Sequence, residues 1–305
     1  MGSGRVDASC LSGLKATLAG GDRRQDYLGQ ALADLGAEVW LLRRRPPASP
    51  TLNHTRSLAK AFDGTSILVC PLTPFGPRGR VWSEDPEDAV YISGEDFSRL
   101  ARPSLAFAGS FPEEWAPKME RAGCQAVALG EMDDIAILNS IPTAEGAVLL
   151  ALERTTVTIH GSVAVVLGYG RTGQTMAAAL RGLGARVRVV ARRPESRARA
   201  VASGCEPWTF EDLSGALEGA RFIFNTVEAP VLDAATLSRV DPRAVLIDLA
   251  SRQGGTDFEA ARVLGLKAVL APALPGRVAP ETAASYLADV IVRTACEGLR
   301  TGGEA

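Results

Sequence analysis

The sequence predicts two Rossmann-like, doubly wound parallel-sheet α/β domains with a cleft between them. Three observations predict it. Short apolar runs alternate with helix-forming segments along most of the chain. One of these runs, Val163–Leu167, leads into Gly168-x-Gly170-x-x-Gly173 and then a helical stretch. The 305 residues, 46% hydrophobic and 22% charged, suit two cores rather than one.

The glycine segment gives the sharpest reading. Val163 to Leu167 reads as a buried parallel strand, and Gln174 to Leu183 as the helix after it. Gly168 permits the tight turn, Gly170 lets backbone approach a pyrophosphate, and Gly173 lets helix and strand pack closely. Tyr169, Arg171 and Thr172 complete the loop, and the helix start offers N–H groups to phosphate. A bare Gly-rich turn is the alternative. The second strand, Ala185–Val190, ends in Ala191-Arg192-Arg193-Pro194-Glu195-Ser196-Arg197. An acidic residue at that tip would select the ribose hydroxyls of NAD. Two arginines stand there instead, and guanidinium pairs with phosphate in a fork. The expected cofactor is therefore NADP, with Arg192, Arg193 and Ser196 around its 2′-phosphate. Glu195 turning inward would restore NAD, and a solvated basic turn is the plain alternative.

The remaining strands follow in order. Leu14–Ala19 leads to Gly20-Gly21-Asp22-Arg23-Arg24-Gln25, a helix to about Leu35, and a strand over 36–42. This repeats the β-loop-α-β pattern without the third glycine, so it reads as a substrate-facing loop or as plain structure. Arg43-Arg44-Arg45-Pro46-Pro47 reads as solvated surface. Thr65–Cys70 is the next strand. From Pro71 to Val81 prolines and glycines argue against regular structure, leaving Thr73, Arg78 and Arg80 as loop candidates. A helix over 96–100 and strands over 105–109 and 125–129 complete about five strands.

Asp133 to Pro142 reads as the end of the first lobe, with Thr143 capping a helix from Ala144 and Glu145 in its first turn. The expected domains are 1–141 plus 282–305 for substrate, closed by a helix over 281–299, and 142–281 for NADP. Later strands end at Asn225-Thr226-Val227 and at Asp248, and the last runs from Lys267 into Pro272–Pro280. These ends are expected to line the nicotinamide side. His160 falls at the opposite strand edge and reads as structural.

Composition narrows the function classes. A net charge of −2 gives no case for nucleic acid. No apolar run is expected to reach membrane-spanning length, and no leader is expected in residues 1–12. Five scattered cysteines and two histidines predict reduced thiols, no metal site and a cytoplasmic location.

With Asn139-Ser-Ile-Pro-Thr143, Glu145-Gly146, the glycine loop, Asp248-Leu-Ala-Ser-Arg252, Gly254-Gly-Thr-Asp-Phe258 and Leu274-Pro-Gly276 in view, the chain resembles the dipicolinate synthase A-subunit family. The resemblance runs from the Gly21-Asp22 loop to the final helix and is loosest from Pro71 to Ser104. It implies a two-lobed architecture shared with 2-hydroxyacid and alanine dehydrogenases. It implies NADP-linked oxidation of dihydrodipicolinate, or of a hydroxytetrahydrodipicolinate, to dipicolinate during sporulation. It also implies a partner, the smaller, flavoprotein-like B subunit of dipicolinate synthase; a homodimer is a further expectation. For a ring diacid, Arg24 and Arg252 are the carboxylate-binding candidates. Asn139, Ser140 and Thr143 are the hydrogen-bonding candidates, and Asp248 or Glu145 is the candidate base. Two rival readings remain. One is a 2-hydroxyacid or amino-acid dehydrogenase, and the other is an NADP-binding inactive protein that gates the flavoprotein-like partner.

Overall fold

The structure, a computed structural model, describes residues 10–43, 45–47, 49–250 and 254–299. Arg44 of the basic loop and the candidate Arg252 lie outside the described residues. The chain forms two compact units, Met1–Ile135 with Pro280–Ala305, and Ala136–Ala279.

In the first unit, β1 (Lys15–Ala19), β2 (Glu38–Leu42), β3 (Asn53–Thr55), β4 (Ile67–Val69), β7 (Ser104–Ala108) and β8 (Cys124–Ala128) form one parallel sheet, in the order β3-β2-β1-β4-β7-β8. Strand β3 is a sixth strand beyond the five expected; three residues, two of them exposed, leave no apolar run to read. Helix α1 (Arg24–Asp34) and the C-terminal helix Pro280–Gly298 cover one face, where Leu18, Leu28, Leu41, Phe107 and Ile291 are fully buried. Helices α2 (Leu58–Phe62) and α3 (Ala116–Ala122) lie on the other, around Phe62, Phe97 and Trp115.

The stretch from Pro71 to Val81, expected to be irregular, contains a 3₁₀ turn (Pro77–Gly79) and β5 (Arg80–Val81). Strand β5 pairs antiparallel with β6 (Val90–Tyr91). The helix expected over 96–100 is a 3₁₀ segment, Gly94–Arg99, set by a Ser93–Asp96 capping box. Cys10 and Cys296 are joined by a disulfide with Cα atoms 6.0 Å apart, which corrects the expectation of five reduced thiols. Their sequence separation of 286 hid the pair.

The second unit repeats the plan. Strands β9 (Val163–Leu167), β10 (Arg186–Val190), β11 (Glu206–Trp208), β12 (Phe222–Asn225), β13 (Val245–Asp248) and β14 (Lys267–Leu270) are parallel, in the order β11-β10-β9-β12-β13-β14. Central β9 is VAVVL, buried on both faces. Each of its valine and leucine side chains contributes about 1.5–3 kcal/mol by leaving water. Helix α4 (Asp133–Leu152) is one continuous helix with Pro142 inside it, so Thr143 is not an N-cap and Glu145 is not in a first turn. The two units meet within α4, at Ile135/Ala136. The other helices are α5 (Arg171–Gly182), α6 (Pro194–Ala202), α7 (Leu213–Leu217), α8 (Ala234–Leu237), α9 (Phe258–Val263) and α10 (Leu274–Val278).

By length and composition α4 is able to cross a membrane, which revises the expectation that no run is long enough. Its Ala144, Ala147, Leu150 and Ala151 are instead buried in the core of the second unit. Gly146 lets α4 approach α10 closely, since a Cβ there would stand 3.1 Å from Leu274 of α10.

Candidate functional site

Each sheet reverses its strand order once, between β1 and β4 and between β9 and β12. Ligands of open parallel sheets bind beyond the strand C-termini at such points.

In the second unit that point holds the glycine loop. Gly168 has φ +89°, and a Cβ there would press on the Thr226 hydroxyl and on Val227. A Cβ at Gly173 would run into the carbonyl of Gly168. Both glycines are therefore required by packing. Gly170 differs: a Cβ there would meet nothing within 4 Å, so the space over this residue is open. The first intrahelical bond of α5 runs from Gln174 N to Gly170 O at 2.9 Å, which leaves the amides of Thr172 and Gly173 for a ligand. Open space above a glycine at a helix start is what a pyrophosphate requires, so the residues fit a dinucleotide. The Tyr169 ring is buried in the core and offers a ligand only its backbone; Arg171 is exposed.

Thr226 pins the loop, its hydroxyl donating to Leu167 O at 2.8 Å. Asn225 is fully buried, and its amide is consumed inside the protein: Nδ2 donates to Val227 O and to Asp248, and Oδ1 accepts from Val227 N. Asn225 therefore shapes the loop rather than reaching a ligand.

At the tip of β10, Arg192 and Arg193 are exposed and Ser196 is buried. Arg193 faces Glu195 at 3.4 Å, both largely in solvent. The turn is held by Arg197, whose Nη1 donates to Ala191 O at 2.9 Å and Arg192 O at 2.7 Å. Sequence reading passed over this brace; its signal was a third arginine one helical turn beyond Arg193.

Asp248 corrects an expectation. It is fully buried, and its carboxylate accepts four hydrogen bonds: from Ala250 N (3.0 Å), Gly255 N (2.9 Å), Thr256 Oγ1 (2.6 Å) and Asn225 Nδ2 (3.1 Å). Sealed from solvent and committed to four donors, the carboxylate cannot reach a substrate proton, so the residue anchors the loop after β13. Ser140 is likewise engaged, bonding to Ile137 O and sharing a 2.6 Å bond with Thr175 of α5. The Thr143 hydroxyl donates to Asn139 O. Glu145 is exposed, and among the described residues neither Glu145 nor the amide of Asn139 has a side-chain partner.

In the first unit the reversal point holds Asp22 and Arg24. Both are buried, and Arg24 Nε and Nη2 each donate to Asp22 at 2.8 Å. Cys70, at the end of β4, is buried, and burial pushes its thiol from 9.0 up to about 12, so it stays protonated. Thr73 and the exposed Arg78 and Arg80 are not drawn into this cluster.

Two parallel sheets of this order, one ending in a glycine cradle, define a protein of the dehydrogenase-like, dinucleotide-binding class. Residues 121–268 match the NAD-binding domain of S-adenosyl-L-homocysteine hydrolase, and residues 15–129 match the N-terminal domain of the dipicolinate synthase A subunit. The dipicolinate synthase A subunit of Bacillus subtilis (strain 168) is 35% identical over 297 residues, covering 94% of this chain and 97% of that protein. The chain belongs to the dipicolinate synthase A-subunit family. The crystal structure of the Bacillus halodurans member superposes with a TM-score of 0.82 at 32% identity, covering 93% of this chain and 98% of that one. A transhydrogenase from Sinorhizobium meliloti shares the fold at TM-score 0.65 and 17% identity, over 92% and 93% of the two chains.

Proposed function

We propose that this chain catalyses NADP-linked oxidation of dihydrodipicolinate, or of a hydroxytetrahydro-dipicolinate that also loses its hydroxyl as water, to dipicolinate, during sporulation and together with the flavoprotein-like B subunit of dipicolinate synthase. The observation that carries the reading is the open cradle at Gly170 beside the basic turn at Arg192 and Arg193. The bound cofactor supplies a hydride acceptor. Gly170, Thr172 and Gly173 would hold its pyrophosphate, with Arg192, Arg193 and Ser196 around the 2′-phosphate.

Aromatisation supplies most of the driving force, so the chain's own residues mainly position the ring. Arg24 and Arg252 are the proposed carboxylate ligands, and Asn139 a hydrogen-bonding group. With Asp248 engaged elsewhere, Glu145 is the proposed acceptor of the ring proton: it is ionisable, exposed and without a side-chain partner among the described residues.

The test follows NADPH absorbance with dihydrodipicolinate, using the purified chain alone and with the flavoprotein-like partner. Reduction of NADP by the chain alone supports the reading. Turnover only with the partner, unaffected by Gly170→Asp, would favour a gating role.

A further inference from the structure

The turn after β1 is built around one side chain. Gln25, in the first turn of α1, is 5% exposed. Its side chain folds back over Gly21, where a Cβ would stand 2.6 Å from Gln25 Cγ and 2.8 Å from Nε2. Glycine at 21 therefore makes room for this amide. Yet Oε1 of Gln25 is buried with no hydrogen-bond partner. An orphaned buried acceptor costs about 1–3 kcal/mol, so it asks for a donor.

Its surroundings describe that donor. Gly21, Arg24, Gln25, Cys70 and Leu72 line a cavity of about 20 Å³ at the β1/β4 reversal. Such a space admits roughly one water-sized group. Beside it, Arg24 is clamped by Asp22 through Nε and Nη2, and the Asp22 carboxylate also accepts from Arg24 N at 3.0 Å. Nη1 of Arg24 has no partner among the described residues, so one edge of the guanidinium stays available to a carboxylate.

We propose that this slot reads a hydroxyl on the ring substrate: Gln25 Oε1 accepts a hydrogen bond from it while the open edge of Arg24 takes a carboxylate of the same molecule. The inference rests on the proposed ring-diacid function and deepens it. Of the two ring forms considered, the hydroxytetrahydro form carries this hydroxyl. The aromatic product lacks it, so the slot favours substrate over product.

The test is calorimetric titration of the full chain with two stable probes, pyridine-2,6-dicarboxylate and its 4-hydroxy derivative. The hydroxylated probe is expected to bind about three- to tenfold more tightly, the worth of one neutral hydrogen bond. Gln25→Met should abolish that difference and leave the plain diacid within about twofold, whereas Arg24→Gln should weaken both. Equal binding to the unaltered chain would overturn the inference while the diacid reading stands; so would a preference for the plain diacid, or one that survives Gln25→Met. The two-probe comparison needs no variant, so poor folding of Gln25→Met would not blunt it. If neither probe binds the unaltered chain, the ring-diacid reading itself fails.

Discussion

Asn225 Nδ2 donates to Asp248 Oδ2 across adjacent strands at 3.1 Å, and both side chains are fully buried. The pair joins the backbone at Val227, beside the glycine cradle, to Ala250, Gly255 and Thr256. Asp248→Asn should therefore act on stability. It would put an amide nitrogen either where Oδ2 accepts three hydrogen bonds or where Oδ1 accepts one, at a cost of about 2–4 kcal/mol. The unfolding free energy measured without ligand should fall accordingly, and Thr256→Val should lower it by about 1 kcal/mol. An unchanged free energy with lost turnover would return Asp248 to the role of base.

The glycines of the cradle are expected to separate binding from folding. Gly170→Ala puts a methyl into open space, so the melting temperature should hold while NADPH affinity drops about tenfold or more. Gly173→Ala drives a methyl into the Gly168 carbonyl and should cost about 1–3 kcal/mol of stability even without cofactor. Thermal melts and NADPH fluorescence titration on both variants check the contrast. Equal losses of stability would mean that the space over Gly170 is not open.

Both sheets are legible in the sequence because their central strands are short apolar runs such as Val163–Leu167. The glycine loop is legible because its spacing follows from backbone geometry alone. What stays hidden depends on partners distant in the chain. Strand β11 contains Pro207 and is largely exposed, so it has no periodicity to find. The run over 133–152 looks interrupted at Pro142, yet α4 continues, supported by burial of Ala144 and Ala147 and by the Ser140–Thr175 bond. The engagement of Asp248 depends on Asn225 and Thr256, and no local pattern announces it. Gln25 is similar, since an unsatisfied acceptor exists only once the fold has removed its water.

The basic turn should set cofactor choice. A charge-assisted bond to phosphate is worth about 1.5–3 kcal/mol, so Arg192→Ala with Arg193→Ala should weaken NADPH about tenfold to a hundredfold. NADH, which has no 2′-phosphate, should change less than twofold. Glu195→Ala removes the carboxylate 3.4 Å from Arg193 and should strengthen NADPH modestly. Titrations of both nucleotides at two salt concentrations check this; parallel losses for NADPH and NADH would assign the turn a structural role.

Cys70 predicts an alkaline weakness. Its thiol is raised from 9.0 to about 12 by burial, and burial also raises Cys124 and Cys205. Below pH 9 the Cys70 thiol is protonated in both folded and unfolded chains and contributes no slope. Above it the unfolded chain releases a proton that the folded chain keeps. Stability should therefore fall between about pH 9 and 12 and level off beyond, by at most about 4 kcal/mol from this residue. Other groups titrate in the same range, so the informative quantity is a difference. Cys70→Ala should be slightly less stable than the parent at pH 7, because of the small cavity it leaves, and the two should converge as pH rises through 10 and 11. Urea midpoints measured across that range would show the convergence. Parallel curves would mean that the thiol ionises in the folded protein, and that the slot beside Gln25 is wetter than its lining suggests.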